Sequence, residues 1–377
     1  MRVENVLYIH GYVNLYGAEK SMLSLISELD RKKFCPFVIL PKSGPLYKEL
    51  KDLGVKCYRF PISVVNRYSN IFKVMGFFMM IIPSVAFVML LIKLNKISIV
   101  HTNTSHVFIG AIAAKILRVK NVWHVREIAI ASKIIVKALS LLIGMFSDRI
   151  IAVSQSTVKA LFLPISYNKK VSIIYDGIDL EKYIPMEPIS DGVFRVGLIG
   201  RITRWKGHLV FINAAAMVLK KYKNIKFYII GEADTIYNFA YKDELKRIIQ
   251  ELGIEKDVEF LGFCMNMPRI YSLLDVSVIS SILPDPCPNV ALESMAMRKL
   301  IIASKIGGLP EILVKECAIF IPPNAFQALA EKIMLILHDP DKFHDLAQRG
   351  HWRAVECFGL KKYVNSITKL YSEMLCN

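Results

Sequence analysis

The sequence predicts an α/β protein made of two parallel-sheet domains. Three observations carry this. Short apolar runs of strand length alternate with amphipathic helical stretches along the whole chain. The series pauses at 185–192, a stretch with two prolines and a glycine, and then restarts. At 377 residues the chain is too long for one ordinary core and suits two domains of about 180 residues.

In the first series, residues 6–9 form a buried-strand candidate, and 19–29 carry a helical stripe of Met22, Leu23, Leu25, Ile26 and Leu29. Strand candidates follow at 37–40, 55–60, 98–101, 122–125 and 149–153, with a helix at 45–53 stopped by Gly54. In the second series, strands are expected at 196–199, 226–230, 258–260, 276–279 and 300–303, with helices at 208–220 and 243–252 between them. Strand–helix–strand alternation implies parallel sheets covered by helices on both faces. The last stretch, 360–375, has one wide apolar stripe and reads as a closing helix. The expected division is 1–187, 188–358 and a terminal helix at 359–377.

Composition narrows the class. Apolar residues make up 54% and charged residues 21%, which describes a folded chain. Seven cysteines occur without C-x-x-C or zinc-ligand spacing, which points to a reducing, cytoplasmic setting. The N-terminus enters a strand with no apolar leader, so no signal peptide is expected. The net charge is +17, and residues 1–189 hold 25 Lys and Arg against 12 Asp and Glu. Such a field attracts phosphates, anionic lipid or nucleic acid. No nucleic-acid-binding module is recognisable, and that partner is not expected.

Residues 74–92 form a 19-residue stretch without a charge. A single membrane span there would put strands of one sheet on opposite sides of a bilayer. Gly76 and Pro83 are expected to interrupt it. Three readings remain: a buried helix, an interfacial helix, or a re-entrant pair hinged near Pro83. The basic first half favours a peripheral membrane contact through 74–92, and an apolar helix at 134–146 can share that surface.

Ligands of open parallel sheets bind at the carboxyl ends of strands. In the first half, Gly11 and Gly17 lie in the loop that opens the first helix, and His124 ends a strand before Arg126 and Glu127. A histidine there can bond a sugar hydroxyl, polarise a leaving group or act as acid or base. In the second half, Arg201 and Lys206 flank a strand–helix turn and suit a diphosphate. The strongest local signal is Pro284-Asp285-Pro286-Cys287-Pro288-Asn289-Val290-Ala291-Leu292-Glu293, which runs from a strand end into a helix. Its helix start offers free backbone N–H groups, and Glu293, about one turn in, is placed to take ribose hydroxyls. Asp339-Pro340-Asp341 reads as a turn and helix cap, and no metal is expected.

With these motifs in order, the sequence resembles the family 4 glycosyltransferases of the GT-B fold. The resemblance rests on Gly17-Ala18-Glu19, His124 to Glu127, Ile151 to Ser154 and Ile174 to Asp179. It continues through Gly200-Arg201 with Lys206-Gly207, Gly231-Glu232, Asp285 to Glu293, and Gly307 to Glu311. It implies two facing Rossmann-like domains, with the last helix crossing back to the first. It also implies retaining transfer from a nucleotide sugar without a metal or other cofactor. Arg201 and Lys206 would hold the diphosphate and Glu293 the ribose. Asp285, with the backbone at Asn289 and Val290, would bind the transferred sugar. Gly17 would touch donor phosphate across the cleft, and His124 would lie at the reacting sugar. Three positions differ from the family pattern: Asp285 in place of Glu, Tyr16 in place of Gly, and Asp176 in place of Asn.

The expected activity is therefore transfer of a hexose or amino-hexose to a glycan or lipid-linked glycan acceptor. The expected setting is cell-surface polysaccharide biosynthesis, at the inner face of the cell membrane. A nucleotide-sugar epimerase of similar fold and a non-catalytic glycan-assembly partner are the alternatives.

Overall fold

The structure is a computed structural model that describes residues 3–62, 71–128, 132–187 and 191–376, without the side chains of 71–78. The chain forms two compact units, Met1–Gly177 with Leu360–Asn377, and Ile178–Gly359. The expected linker at 185–192 falls inside the second unit, and its residues 188–190 lie outside the described residues.

The first unit holds a seven-stranded parallel sheet. Its strands are β1 (Glu4–Ile9), β2 (Phe34–Leu40), β3 (Lys56–Arg59), β4 (Ile97–Thr102), β5 (Lys120–Val125), β6 (Arg149–Ala152) and β7 (Val171–Ile173), in the order β3-β2-β1-β4-β5-β6-β7. Its helices are α1 (Gly17–Ser27), α2 (Pro45–Asp52), α3 (Ile71–Leu94), α4 (Ile109–Leu117), α5 (Lys133–Phe146) and α6 (Gln155–Ala160). Alternate residues of each strand face opposite layers. Val6 and Tyr8 of β1 join a core with α1 and α2, while Leu7 and Ile9 join another with α3 and α4.

The second unit holds a six-stranded parallel sheet. Its strands are β8 (Phe194–Ile199), β9 (Ile225–Ile230), β10 (Val258–Gly262), β11 (Val276–Ile279), β12 (Leu300–Ser304) and β13 (Ile319–Ile321), in the order β10-β9-β8-β11-β12-β13. Its helices are α7 (His208–Leu219), α8 (Ile236–Glu251), α9 (Met267–Leu273), α10 (Asn289–Ala296), α11 (Leu309–Cys317), α12 (Phe326–His338) and α13 (His344–Phe358). The closing helix α14 (Leu360–Cys376) belongs to the first unit, where Tyr363, Val364, Ile367, Leu370, Tyr371 and Met374 enter the α1–α2 core.

The structure corrects the reading of 74–92. The expected interruption is not formed: α3 runs as one helix from Ile71 to Leu94 with Pro83 inside it. Pro83 and Met79, the residue one turn earlier, lie on the exposed side. A carbonyl freed there by the missing N–H can be hydrated, so the helix continues. The buried face of α3 (Val85, Val88, Leu91, Ile92) packs on the sheet, which removes the re-entrant hairpin. Among the described residues, no helix is long and apolar enough to cross a membrane.

Candidate active site

In each sheet the first strand has neighbours that leave in opposite directions, and the loops beyond that switch point form a ligand crevice. In the second unit the switch lies between β8 and β11. The loop after β8 carries Gly200, Arg201 and Lys206, and the loop after β11 carries Asp285. Lys206 Nζ donates to Asp285 Oδ2 at 2.7 Å, with both side chains largely buried. Arg201 Nη1 donates to Asp234 Oδ2, in the loop after β9, at 2.8 Å.

Two glycine contacts fix these loops. Gly207 has φ +77°, and a Cβ there would stand 1.9 Å from the Ser280 carbonyl oxygen. A Cβ on Gly308 would stand 1.9 Å from the Pro286 oxygen, and the Gly308 N–H donates to the Asp285 carbonyl at 2.8 Å. The loops after β8, β11 and β12 thus touch backbone to backbone, which only glycine permits at such distances. Pro288 stands at the N-cap of α10, and Asn289 and Val290 open the helix.

Glu293 lies one turn into α10 and is 6% exposed. Its Oε1 accepts from the Tyr183 hydroxyl at 3.1 Å and its Oε2 from the Tyr271 hydroxyl at 2.9 Å. Burial and the adjacent carboxylate push both phenols up, so both stay protonated donors. The sequence reading missed these tyrosines, because each looks like an ordinary amphipathic residue outside any motif.

In the first unit the switch lies between β1 and β4. His10, just after β1, contacts Glu19 Oε1 through Nε2 at 2.8 Å, and its Nδ1 lies 3.2 Å from the Asn103 carbonyl. Burial alone would raise the Glu19 carboxyl, but the His10 contact holds it below its usual range. The Tyr16 N–H donates to Glu19 Oε2 at 3.1 Å, so one carboxylate secures both the histidine and the turn into α1 at Gly17. Tyr16 fits because its backbone is extended there (φ −88°) and needs no glycine.

Beside β5, Arg126 is buried and makes five hydrogen bonds to four residues. It donates to Asp176 at 2.7 and 2.9 Å, to Asn103 Oδ1 at 2.8 Å, to Ser21 Oγ at 3.0 Å and to the Tyr363 hydroxyl at 2.8 Å. A carboxylate at 176 neutralises this guanidinium, which an amide cannot do. His124 ends β5 fully buried, with Nδ1 3.1 Å from His101 Nε2. Burial, then the Arg126 cation, then His101 push its pKa well below the usual imidazole range. His124 is therefore neutral at pH 7 and is not a proton-donating acid.

The structure brings Lys206 and Asp285 together, seats Arg201 on the same loop as Lys206, and places Asn289, Val290 and Glu293 on the helix that follows Asp285. In the first unit, Gly17 opens α1 and His124 is the next-to-last residue of β5. Among the described residues, no three His, Cys, Asp or Glu side chains gather as a metal-ligand group.

Two Rossmann-like parallel sheets closed by a returning helix define the GT-B class. A full-length fold match is found with the Anabaena protein HepE solved with UDP and glucose (TM-score 0.81, 23% identity, 97% of this chain and 99% of that one). Another is found with a glycosyltransferase from Rickettsia africae (TM-score 0.84, 20% identity, 100% of both chains). The model for Glycosyltransferase Family 4 matches residues 16–182, and that for Glycosyl transferases group 1 matches 181–352. The chain belongs to this glycosyltransferase family. Among its relatives is an Escherichia coli UDP-Gal:alpha-D-GlcNAc-diphosphoundecaprenol alpha-1,3-galactosyltransferase, 25% identical over 96% of this chain and 95% of that protein. Another is a lipopolysaccharide core mannosyltransferase of Rhizobium leguminosarum, 26% identical over 60% of this chain and 65% of that protein.

Proposed function

We propose that this glycosyltransferase moves a hexose or amino-hexose from a nucleoside-diphosphate sugar to a glycan on a lipid diphosphate, with retention of configuration and without a metal. The observation that carries the donor reading is the β8/β11 switch point, where Lys206, Arg201 and Glu293 line one strand-end region. The cations neutralise the diphosphate, Glu293 takes the ribose, and Asp285 with the Asn289 and Val290 backbone takes the sugar. In the first unit, Gly17 is assigned to a phosphate and His124 to a sugar on the family resemblance alone. The E. coli relative, named for a UDP-sugar donor and a diphosphate-linked lipid acceptor, supports both ends of this reading.

The lipid-linked acceptor agrees with a peripheral position at the cytoplasmic face of the cell membrane. The first unit contains 27 Lys and Arg against 10 Asp and Glu, and the second contains 22 of each, so the whole net charge sits on the first unit. On α3, Met79, Ile82, Leu90 and Leu94 are exposed along one stripe, and on α5 so are Ile134, Leu141 and Met145. Both helices cover the same face of the sheet. Apolar stripes in a cationic field suit an anionic bilayer surface.

The test is transfer from UDP-galactose or UDP-glucose to a GlcNAc-diphospho-lipid, with product anomer analysis and a chelator arm. Glu293→Gln keeps an oxygen for one tyrosine but removes the charge. It is expected to lower kcat/KM about 10- to 100-fold, the worth of one charge-assisted hydrogen bond. Equal activity in both proteins removes the donor assignment, and loss of activity on chelation removes the metal-free reading.

A further inference from the structure

Four buried side chains of the first unit form a single hydrogen-bonded line ending at His124. The Tyr371 hydroxyl, on α14, donates to the Tyr8 hydroxyl at 3.1 Å. His101 Nδ1 lies 2.5 Å from the same Tyr371 oxygen, and His101 Nε2 lies 3.1 Å from His124 Nδ1. All four rings are essentially inaccessible. They are packed by ring contacts of 5.1 Å (Tyr8 to His101), 5.9 Å (His101 to Tyr371) and 5.2 Å (His101 to His124). The far nitrogen, His124 Nε2, is buried with no hydrogen-bond partner among the described residues.

The protons along this line can be counted. Burial and then the Arg126 cation hold His101 down at about 3, and His124 is also neutral. Each imidazole then carries one N–H. Tyr371 has one proton and gives it to Tyr8, so its oxygen must accept from His101 Nδ1–H. His101 Nε2 is then a bare lone pair and must accept from His124 Nδ1–H. That leaves His124 Nε2 without a proton.

We infer that Tyr8, Tyr371 and His101 are positioning residues that lock His124 in its Nδ1–H tautomer, with the enclosed Nε2 left as an unprotonated lone pair. The use of that lone pair rests on the proposed sugar-side role of His124; the tautomer itself does not. A free imidazole favours the opposite tautomer, so the lock selects the minor form. In this line α14 supplies the tyrosine hydroxyl that meets Tyr8 of β1 and His101 of β4, the central strands of the sheet.

Long-range proton–nitrogen correlation spectra of the full chain, labelled with nitrogen-15 histidine, read this directly without any sugar nucleotide. The His124 signals are identified by their loss in His124→Gln. The expected wild-type pattern is a protonated Nδ1 and an unprotonated Nε2, constant from pH 6 to 8. Tyr371→Phe removes the oxygen that accepts from His101, and His124 is expected to shift to Nε2–H or to a mixture. A wild-type proton on Nε2 overturns the inference whether or not the variant folds. An unchanged His124 pattern in folded Tyr371→Phe also overturns it. A wild type with the expected tautomer but no transferase activity would instead remove the enzymatic role of His124 and leave the lock standing.

Discussion

Glu293 is a buried carboxylate with a tyrosine hydroxyl on each oxygen. A carboxylate has about four acceptor positions, so two remain for a pair of ligand hydroxyls, and the tyrosines fix the plane in which they lie. Asp285, proposed for the transferred sugar, is also ion-paired with Lys206. Asp285→Ala leaves that largely buried ammonium unpaired and is expected to cost about 1–3 kcal/mol, read as a lower urea midpoint. Asp285→Glu restores the pair and is expected to recover most of the midpoint. A midpoint unchanged in the alanine variant would show that the ion pair contributes nothing. At Gly308, a methyl group meets the Pro286 oxygen at 1.9 Å. Gly308→Ala is expected to cost about 1–3 kcal/mol by overpacking and to displace the Asp285 loop, lowering donor affinity together with the melting temperature. The acidic spacing from Asp285 to Glu293 was legible in the sequence because eight positions on one loop–helix junction are a local pattern. Tyr183 and Tyr271 were not, because they reach Glu293 only through the fold. Asp176 stood out only as a departure, and its reason, the buried Arg126, lies fifty positions away.

At the scale of elements, most strands were readable because parallel strands buried on both faces are near-continuous apolar runs. The three-residue strands β7 and β13 were not, since so short a run has no period to detect. The wide stripe of the last helix was correctly read as a buried face, and α14 places it against α1 and α2. Pro83 misled because its effect depends on which side of a helix it occupies, and the sequence of α3 is apolar all round. That same property makes α3 testable. Ile82 and Leu90 are 78% and 52% exposed, so Ile82→Glu with Leu90→Glu should leave the melting temperature unchanged. On vesicles containing anionic phosphatidylglycerol, the double variant is expected to bind at least about tenfold more weakly in co-sedimentation, from the loss of two side chains worth about 1.5 kcal/mol each. Equal binding by both proteins, or no wild-type binding, would remove the bilayer contact.

At the scale of the molecule, two parallel sheets of similar size differ sharply in charge and in buried histidines. The first unit carries the net +17 and buries neutral His101 and His124 beside the Arg126 cation. The second is balanced and buries His208, held down at about 4 chiefly by burial. The sequence disclosed the charge bias but not its completeness, because α14 returns its lysines to the first unit from the far end of the chain. The histidines give that unit a distinctive acid response. A group whose pKa is lower in the folded state stabilises fully above its unfolded value, near 6.5, and loses that contribution as pH falls toward the folded value. For His101 the window runs from about 6.5 down to about 3, and for His124 it extends to well below its ordinary value. Inside its window His101 contributes about 1.4 kcal/mol per pH unit, so its titration alone should cost the first unit about 2 kcal/mol between pH 7.5 and 5.0, and His124 acts in the same direction. Trp123 is fully buried in that unit, and a variant with Trp205→Phe and Trp352→Phe makes it the sole tryptophan. Its fluorescence midpoint in urea should fall steeply over this range. His101→Asn in the same background removes the His101 titration and should make the slope shallower. A midpoint flat from pH 7.5 to 5.0 would mean that these imidazoles are already charged in the folded protein, and that the basic unit tolerates two further buried cations beside Arg126.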